Sequence, residues 1–340
     1  MTYFSRELRM HGFFVAVGSA AEKLQDDRLR TLWPMKAICE TLSPLPDVRL
    51  GRYLPADHPG KTLFVWSRDR QVVVAVDGYL YTDSAPRQAS LVTHMEHFAE
   101  ACRREGFAAG MRTIAGGSFV LAVVDIAGGH CFVSNDYAGS ISLYHSPVRA
   151  GWLASTNPVA LARSGLINTE PDVVALAEWA FIGYTLGDRF MLKGIKQLPL
   201  YHFVSWDCQE RTTAVSENAD TPWKVEPTEI QPTVEELNHA FVESCRRVSY
   251  LDSRPAHYQS SGKDSRMILA AWPEGFNPPC YTYGDIDSHE VAIARQIAGL
   301  RGSQWVHVWE DGDEIAPCIE QLFNVAGLII FPDRLIGARR

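Results

Sequence analysis

The chain lacks any CxxC pair. Its seven cysteines stand at 39, 102, 131, 208, 245, 280 and 318, an odd and scattered set. That argues against a disulfide framework and leaves a zinc site without usable spacing. Long apolar runs are missing too. The best approach to a membrane span, Ile315–Phe331, is broken by Pro317, Glu320, Gln321 and Asn324. The N-terminus, with Arg6, Glu7, Arg9 and His11, has no signal-peptide pattern. There is no excess of positive charge either: the formal net charge is −8. A general nucleic-acid binder is disfavoured on that ground. Internal repeats and low-complexity tracts are absent. These absences together predict a cytoplasmic protein whose partners include neither nucleic acid nor a membrane.

What is present fits two domains, since 340 residues can bury two cores. The first two hundred residues read mostly as strands. Leu63–Trp66 and Val72–Val76 are short apolar runs, and Asp77-Gly78 after them reads as a hairpin turn. Ser118–Asp125 and His130–Ser134 form a second strand pair across Ile126–Gly129. Helical patterns fall at about Ser90–Glu105 and Asp172–Ile182. His94 and His97, three apart, read as surface or interface histidines without a metal role. Strand pairs interrupted by helices predict an α+β sandwich over residues 1–207.

Residues 208–232 are polar, carry Pro222, Pro227 and Pro232, and read as a linker. Thr233 and Glu236 then form a capping box, with Val234, Leu237, Phe241, Cys245 and Val248 at helical spacing. Beyond come a strand at Cys280–Tyr283, a helix at about Ser288–Leu300 and a strand at Trp305–Val308. This alternation predicts a parallel α/β sheet over residues 233–340.

Within that second part lies Ser260-Ser261-Gly262-Lys263-Asp264-Ser265, followed by the apolar helical run Met267–Ala271. Amides and hydroxyls of a tight turn at a helix N-terminus suit a pyrophosphate. Asp264 cannot bind phosphate directly, so its natural task is to hold Mg²⁺ against it. Lys263 is either a phosphate contact or a solvated side chain. Asp285 and Asp287 read as a polar strand end and helix cap.

These residues resemble the asparagine synthetase superfamily, in which a glutaminase-like domain of N-terminal-nucleophile type precedes an ATP-pyrophosphatase domain. Ser260–Ser265 is similar to its S-G-G-x-D-S loop, and Tyr283-Gly284 with Glu290 and Ala294-Arg295 is similar to the pattern downstream. Asp77–Tyr81 resembles N-G-E-I-Y, and Gly117–Asp125 resembles G-x-F-A-x-x-x-x-D. Asn135–Gly139 with Leu143-Tyr144 resembles R-D-x-x-G-x-x-P-L-Y. Gly194–Pro199 resembles G-I-x-x-L-P-P. The resemblance implies that Ser260, Ser261, Gly262, Lys263, Asp264 and Ser265 bind the pyrophosphate of ATP with Mg²⁺ on Asp264. It also places Tyr283 and Gly284 at the adenine.

Three departures bear on the first domain. The family's M-C-G becomes Met10-His11-Gly12, so the nucleophilic cysteine is replaced by His11, and nine residues precede the triplet. The R-G-P-D loop is not evident. Asp77 stands where an oxyanion-type asparagine would. Glutamine hydrolysis is therefore not expected. The family's S-G-E-G-x-D-E motif and later lysine do not occur before Arg340, which implies an incomplete synthetase domain: a fragment, a split subunit or a degenerate copy.

The implied reaction is ATP-dependent amide formation. A small-molecule or peptide carboxylate becomes an acyl-adenylate, pyrophosphate leaves, and ammonia or an amine displaces AMP. Relatives without a working glutaminase, the β-lactam synthetases and lasso-peptide cyclases, take the amine from the substrate. The alternatives are asparagine synthesis from aspartate and free ammonia, and a non-catalytic module that binds nucleotide or a partner chain. A homodimer or a split-subunit partner is compatible with either.

Overall fold

The computed structural model describes residues 11–34, 37–54, 64–86, 88–218, 231–251 and 255–308. Met10, Cys318, the Ile315–Phe331 run and Arg340 lie outside them, as do residues 219–230 of the expected linker. Among the described residues no helix is long and apolar enough to cross a membrane. The chain divides into two compact units.

The first unit runs β1 (Gly12–Gly18), α1 (Ser19–Lys23), α2 (Asp26–Leu32), β2 (Ile38–Leu45), β3 (Val48–Leu54), β4 (Phe64–Trp66) and β5 (Val72–Thr82). It continues with α3 (Leu91–Glu105), α4 (Phe107–Arg112), β6 (Ile114–Asp125), β7 (His130–Asn135), β8 (Tyr144–Val148), β9 (Gly151–Ser155) and α5 (Pro158–Arg163). Last come α6 (Val173–Ile182), β10 (Lys196–Gln197), β11 (His202–Asp207) and β12 (Thr212–Glu217). The strands make two antiparallel sheets, ordered β10-β8-β9-β1-β3-β2 and β12-β11-β7-β6-β5-β4.

Alternation along the central strands explains the layering. In β1, Phe13, Val15 and Val17 point into the core between the sheets, while Phe14 and Ala16 pack with Leu29, Leu32 and Leu161 of α2 and α5. In β6, Val120, Ala122 and Val124 fill the same inter-sheet core; Leu121 and Val123 pack with Phe98 and Met111 of α3 and α4. The result is helix, sheet, sheet, helix, which is the α+β sandwich the strand pattern predicts.

Several readings change. Asp77-Gly78 is not a hairpin turn. β5 runs through it, paired with β6 from Val72↔Asp125 to Thr82↔Ile114. Gly78 has φ +94°, and a Cβ there would lie 2.1 Å from the Ser118 carbonyl oxygen, so the glycine marks a close approach of two strands. Thr212–Glu217, expected in the linker, forms β12 and pairs with β11 from His202↔Glu217 to Asp207↔Thr212. Its side chains are largely exposed, so the backbone ladder holds a strand that polarity concealed. His94 is buried at 3 % exposure, its Nδ1 accepting from the Thr82 amide at 3.0 Å. His97 lies 3.2 Å from the Ser84 hydroxyl.

The second unit contains α7 (Val234–Leu251), β13 (His257–Tyr258), α8 (Lys263–Ala271), β14 (Cys280–Tyr283), α9 (His289–Arg301) and β15 (Trp305–Val308). The capping box forms as read. The Thr233 amide donates to Glu236 Oε2 at 2.8 Å, and the Glu236 amide donates to Thr233 Oγ1 at 3.2 Å. β13, β14 and β15 are parallel neighbours in that order. Leu269, Trp272, Cys280 and Ala298 form the core between sheet and helices.

Candidate functional site

Two constellations read from the sequence are each brought to one place. In the second unit the Ser260–Ser265 turn leaves the carboxyl end of β13 and opens α8. In parallel α/β layers that edge is where ligands are bound. Gly262 is the N-cap with an extended backbone (φ −67°, ψ +162°). The amides of Lys263 and Asp264 start the helix and have no intrahelical acceptor. The turn is closed from within. Ser265 Oγ takes the Ser260 amide at 3.2 Å and lies 3.0 Å from Ser260 Oγ, which takes the Gly262 amide at 3.1 Å. The two hydroxyls read as phosphate contacts therefore first shape the turn. Lys263 and Asp264 are exposed on the first turn of α8.

Sequence reasoning missed the bracing beneath this turn. Gln259 is fully buried and donates to Ser265 Oγ at 3.0 Å. Its backbone takes the Thr282 hydroxyl at 2.9 Å and gives its amide to Tyr281 O at 2.8 Å. His257 Nε2 lies 3.0 Å from the Ser265 carbonyl, which can only accept, so this nitrogen carries the proton. Burial pushes the His257 pKa below the usual imidazole value, against the pull of Gln259 and Ser265. A buried polar pair, His257 and Gln259, bracketing an exposed tyrosine was the signal available in the sequence. At the same edge, Tyr283 ends β14 beside Tyr258, their rings 5.4 Å apart. Gly284 has φ +119° and accepts from His307 Nε2 at 2.8 Å.

In the first unit, His11 sits at the head of β1 and its Nδ1 bonds Asp77 Oδ1. The two departures from the family pattern, 66 residues apart, are thus partners. Asp77 is buried at 1 % exposure. The acid that partners His11 is supplied by β5. Arg52 of β3 is buried nearby; Asp77 and Glu40 favour its charge while burial opposes it. Gly12 is obligatory beside them, because a Cβ would fall 2.3 Å from the Trp33 ring. Cavities of about 430 Å³ beside Tyr137 and Tyr201 and about 460 Å³ beside Trp66 and His97 open elsewhere in this unit.

The hydrogen bond to Asp77 raises the His11 pKa above 6.5, against burial and Arg52. The pair therefore stabilises the fold fully below the ordinary imidazole pKa and loses that contribution as pH rises through the raised value. A ¹H–¹⁵N titration of the ring should give a His11 pKa above 6.5 that falls in Asp77→Asn. An unchanged value in the variant would show that Asp77 is not the cause.

Among the described residues no group of three or more His, Cys, Asp or Glu side chains could hold a metal. No family model matches the chain. No curated protein matches it either. Among solved structures it is similar to glutamine phosphoribosylpyrophosphate amidotransferase from B. subtilis (9% identity, TM-score 0.37, covering 87% of this chain). The chain spans 65% of the length of that structure. A structure described as the allosteric regulatory enzyme of purine biosynthesis gives 8% identity and TM-score 0.41, covering 88% of this chain and 80% of that one. A glutamine aminotransferase class-II domain protein from Silicibacter pomeroyi gives 12% and 0.30, covering 62% and 99%.

Proposed function

We propose that the protein is an ATP-dependent amide-forming ligase of the asparagine synthetase type that does not draw its amine from glutamine. The reading rests above all on Ser260–Ser265, whose turn stands at the carboxyl edge of a parallel sheet with helix amides behind it. Ser260, Ser261, Gly262 and Ser265 line the anion, and Lys263 is free to approach its outer oxygens. Tyr283 and Gly284 stand at the neighbouring strand end for the adenine. The residues fit Mg²⁺ carried in with the nucleotide. Such an ion needs one or two carboxylates besides phosphate oxygens and water, and Asp264 on the first turn of α8 supplies one. When bound, the ion neutralises charge on the departing pyrophosphate.

The chain's own part is positional. The internally bonded turn holds amides toward the phosphates before the substrate arrives, so little reorganisation is needed as charge builds. The substrate carboxylate attacks the α-phosphorus, the bond to the β-phosphate bridge breaks, and pyrophosphate leaves. An amine then attacks the acyl carbon and AMP departs.

The His11–Asp77 pair supports the second half of the reading. His11 supplies no thiol, and Asp77, buried and bonded to His11, has no side-chain amide to donate to an oxyanion. Incubation with a panel of amino-acid and peptide carboxylates should convert ATP to AMP and pyrophosphate in equal amounts. Formation of ADP and phosphate instead would overturn the reading. Glutamine alone should release no ammonia.

A further inference from the structure

The cavity of about 460 Å³ in the first unit is set apart by its charges. Arg68, Arg104, Glu96 and Glu100 all line it, two guanidiniums and two carboxylates around one small space. The local fold explains how they meet. Met95, Phe98 and Cys102 of α3 pack into the core. His97, Glu100 and Arg104 stand at i, i+3 and i+7 and share a neighbouring stripe of the same helix. Trp66 ends β4, and Arg68 follows in the turn toward β5. The Arg68 amide donates to Glu100 Oε1 at 2.6 Å and ties that turn to the helix. These charges do not cancel one another. Just outside the cavity Arg103 pairs with Asp69 at 2.6 Å. Among the described residues, neither Arg68 nor Arg104 has a carboxylate within ion-pair reach of its guanidinium. Arg104 Nε reaches only the Glu100 carbonyl, at 3.4 Å.

We propose that this cavity binds a free α-amino acid with an uncharged side chain, at a site separate from the nucleotide turn. Charge of both signs is the first argument. The guanidiniums of Arg68 and Arg104 suit an α-carboxylate, whose two oxygens match their planar fork. Glu96 and Glu100 suit the α-ammonium. A dianion would leave both glutamates facing it, and a divalent cation would leave both arginines. A zwitterion satisfies each pair, and a further charge on its side chain would have no counterpart. The wall is the second argument. Trp66 lends the cavity apolar surface for a side chain, and Arg70 already stacks on its ring, 4.7 Å from the centroid. Size is the third. The volume falls in the range of roughly 300–1,000 Å³ usual for small-molecule clefts.

Calorimetric titration of the intact chain with each of the twenty amino acids tests this. Leaving out nucleotide keeps the result separate from the fate of the ATP reading. At least one amino acid with an uncharged side chain should bind saturably, with a dissociation constant below ~1 mM. Its deaminated acid and its decarboxylated amine should each bind ~10-fold or more weakly, since each leaves one pair of charges unmatched. Arg104→Gln and Glu96→Gln should weaken binding of the parent amino acid by a similar factor. Both side chains are exposed, so the melting temperature should hold. No binding of any amino acid by folded protein up to ~10 mM would overturn the proposal. An analogue that binds as tightly as its parent, or binding that neither variant weakens, would overturn it equally. Binding of inorganic phosphate or Ca²⁺ in place of every amino acid, lost in the same variants, would also contradict it.

Discussion

Asp264→Ala is expected to remove the magnesium dependence of ATP binding and to cut pyrophosphate formation by ~100-fold or more, the several kcal/mol a positioned cation contributes. The substitution is clean. Asp264 is exposed on the first turn of α8, while the bonds that close the turn run among Gln259, Ser260, Gly262 and Ser265. The fold should therefore survive, as circular dichroism can check. Removing a negative charge from a helix N-terminus costs only about 0.5 kcal/mol. An Asp264→Ala protein that binds ATP as tightly as wild type, with the same response to Mg²⁺, would deprive Asp264 of its proposed role.

Asp136→Ala should cost about 3 kcal/mol or more of folding stability. This carboxylate is fully buried. It accepts the amides of Phe119 at 3.0 Å, Ala138 at 2.9 Å and Ser140 at 3.2 Å, together with the Ser140 hydroxyl at 3.2 Å. Alanine strands those donors away from water and releases the loop after β7 from β6. Asn should restore part of the loss, because its one carbonyl oxygen can serve some of the donors. Denaturant unfolding of the two variants measures both. A loss under about 1 kcal/mol for alanine would mean that water reaches the donors freely.

The legible parts of the fold were those written in local patterns. The capping box at Thr233, the Ser118–Ser134 strand pair and the strand–helix alternation after Thr233 each depend on residues close in sequence, and each is found. Strands β1 to β3 went largely unread. β1 is apolar on both faces, Phe13 toward one core and Phe14 toward the other, so it shows no alternation. Asp77-Gly78 misled because the dipeptide that favours a tight reversal also serves where two backbones nearly touch, and only the partner strand distinguishes these uses.

The sites divide in the same way. The Ser260–Ser265 turn was visible as a run of six residues. Its support was not, because the Gln259–Thr282 contact spans two strands. His11 and Asp77 were each visible as departures, but their contact joins strands of different sheets, 66 residues apart. No one-dimensional pattern reports such a pair.

Whether nucleotide phosphates are gripped at Gly262 is decided most directly by calorimetric titration of the intact chain with ATP, with and without Mg²⁺. Saturable binding that Mg²⁺ strengthens and that inorganic pyrophosphate competes away is the expected result. No heat of binding with the metal present, from protein shown to be folded, would contradict the account.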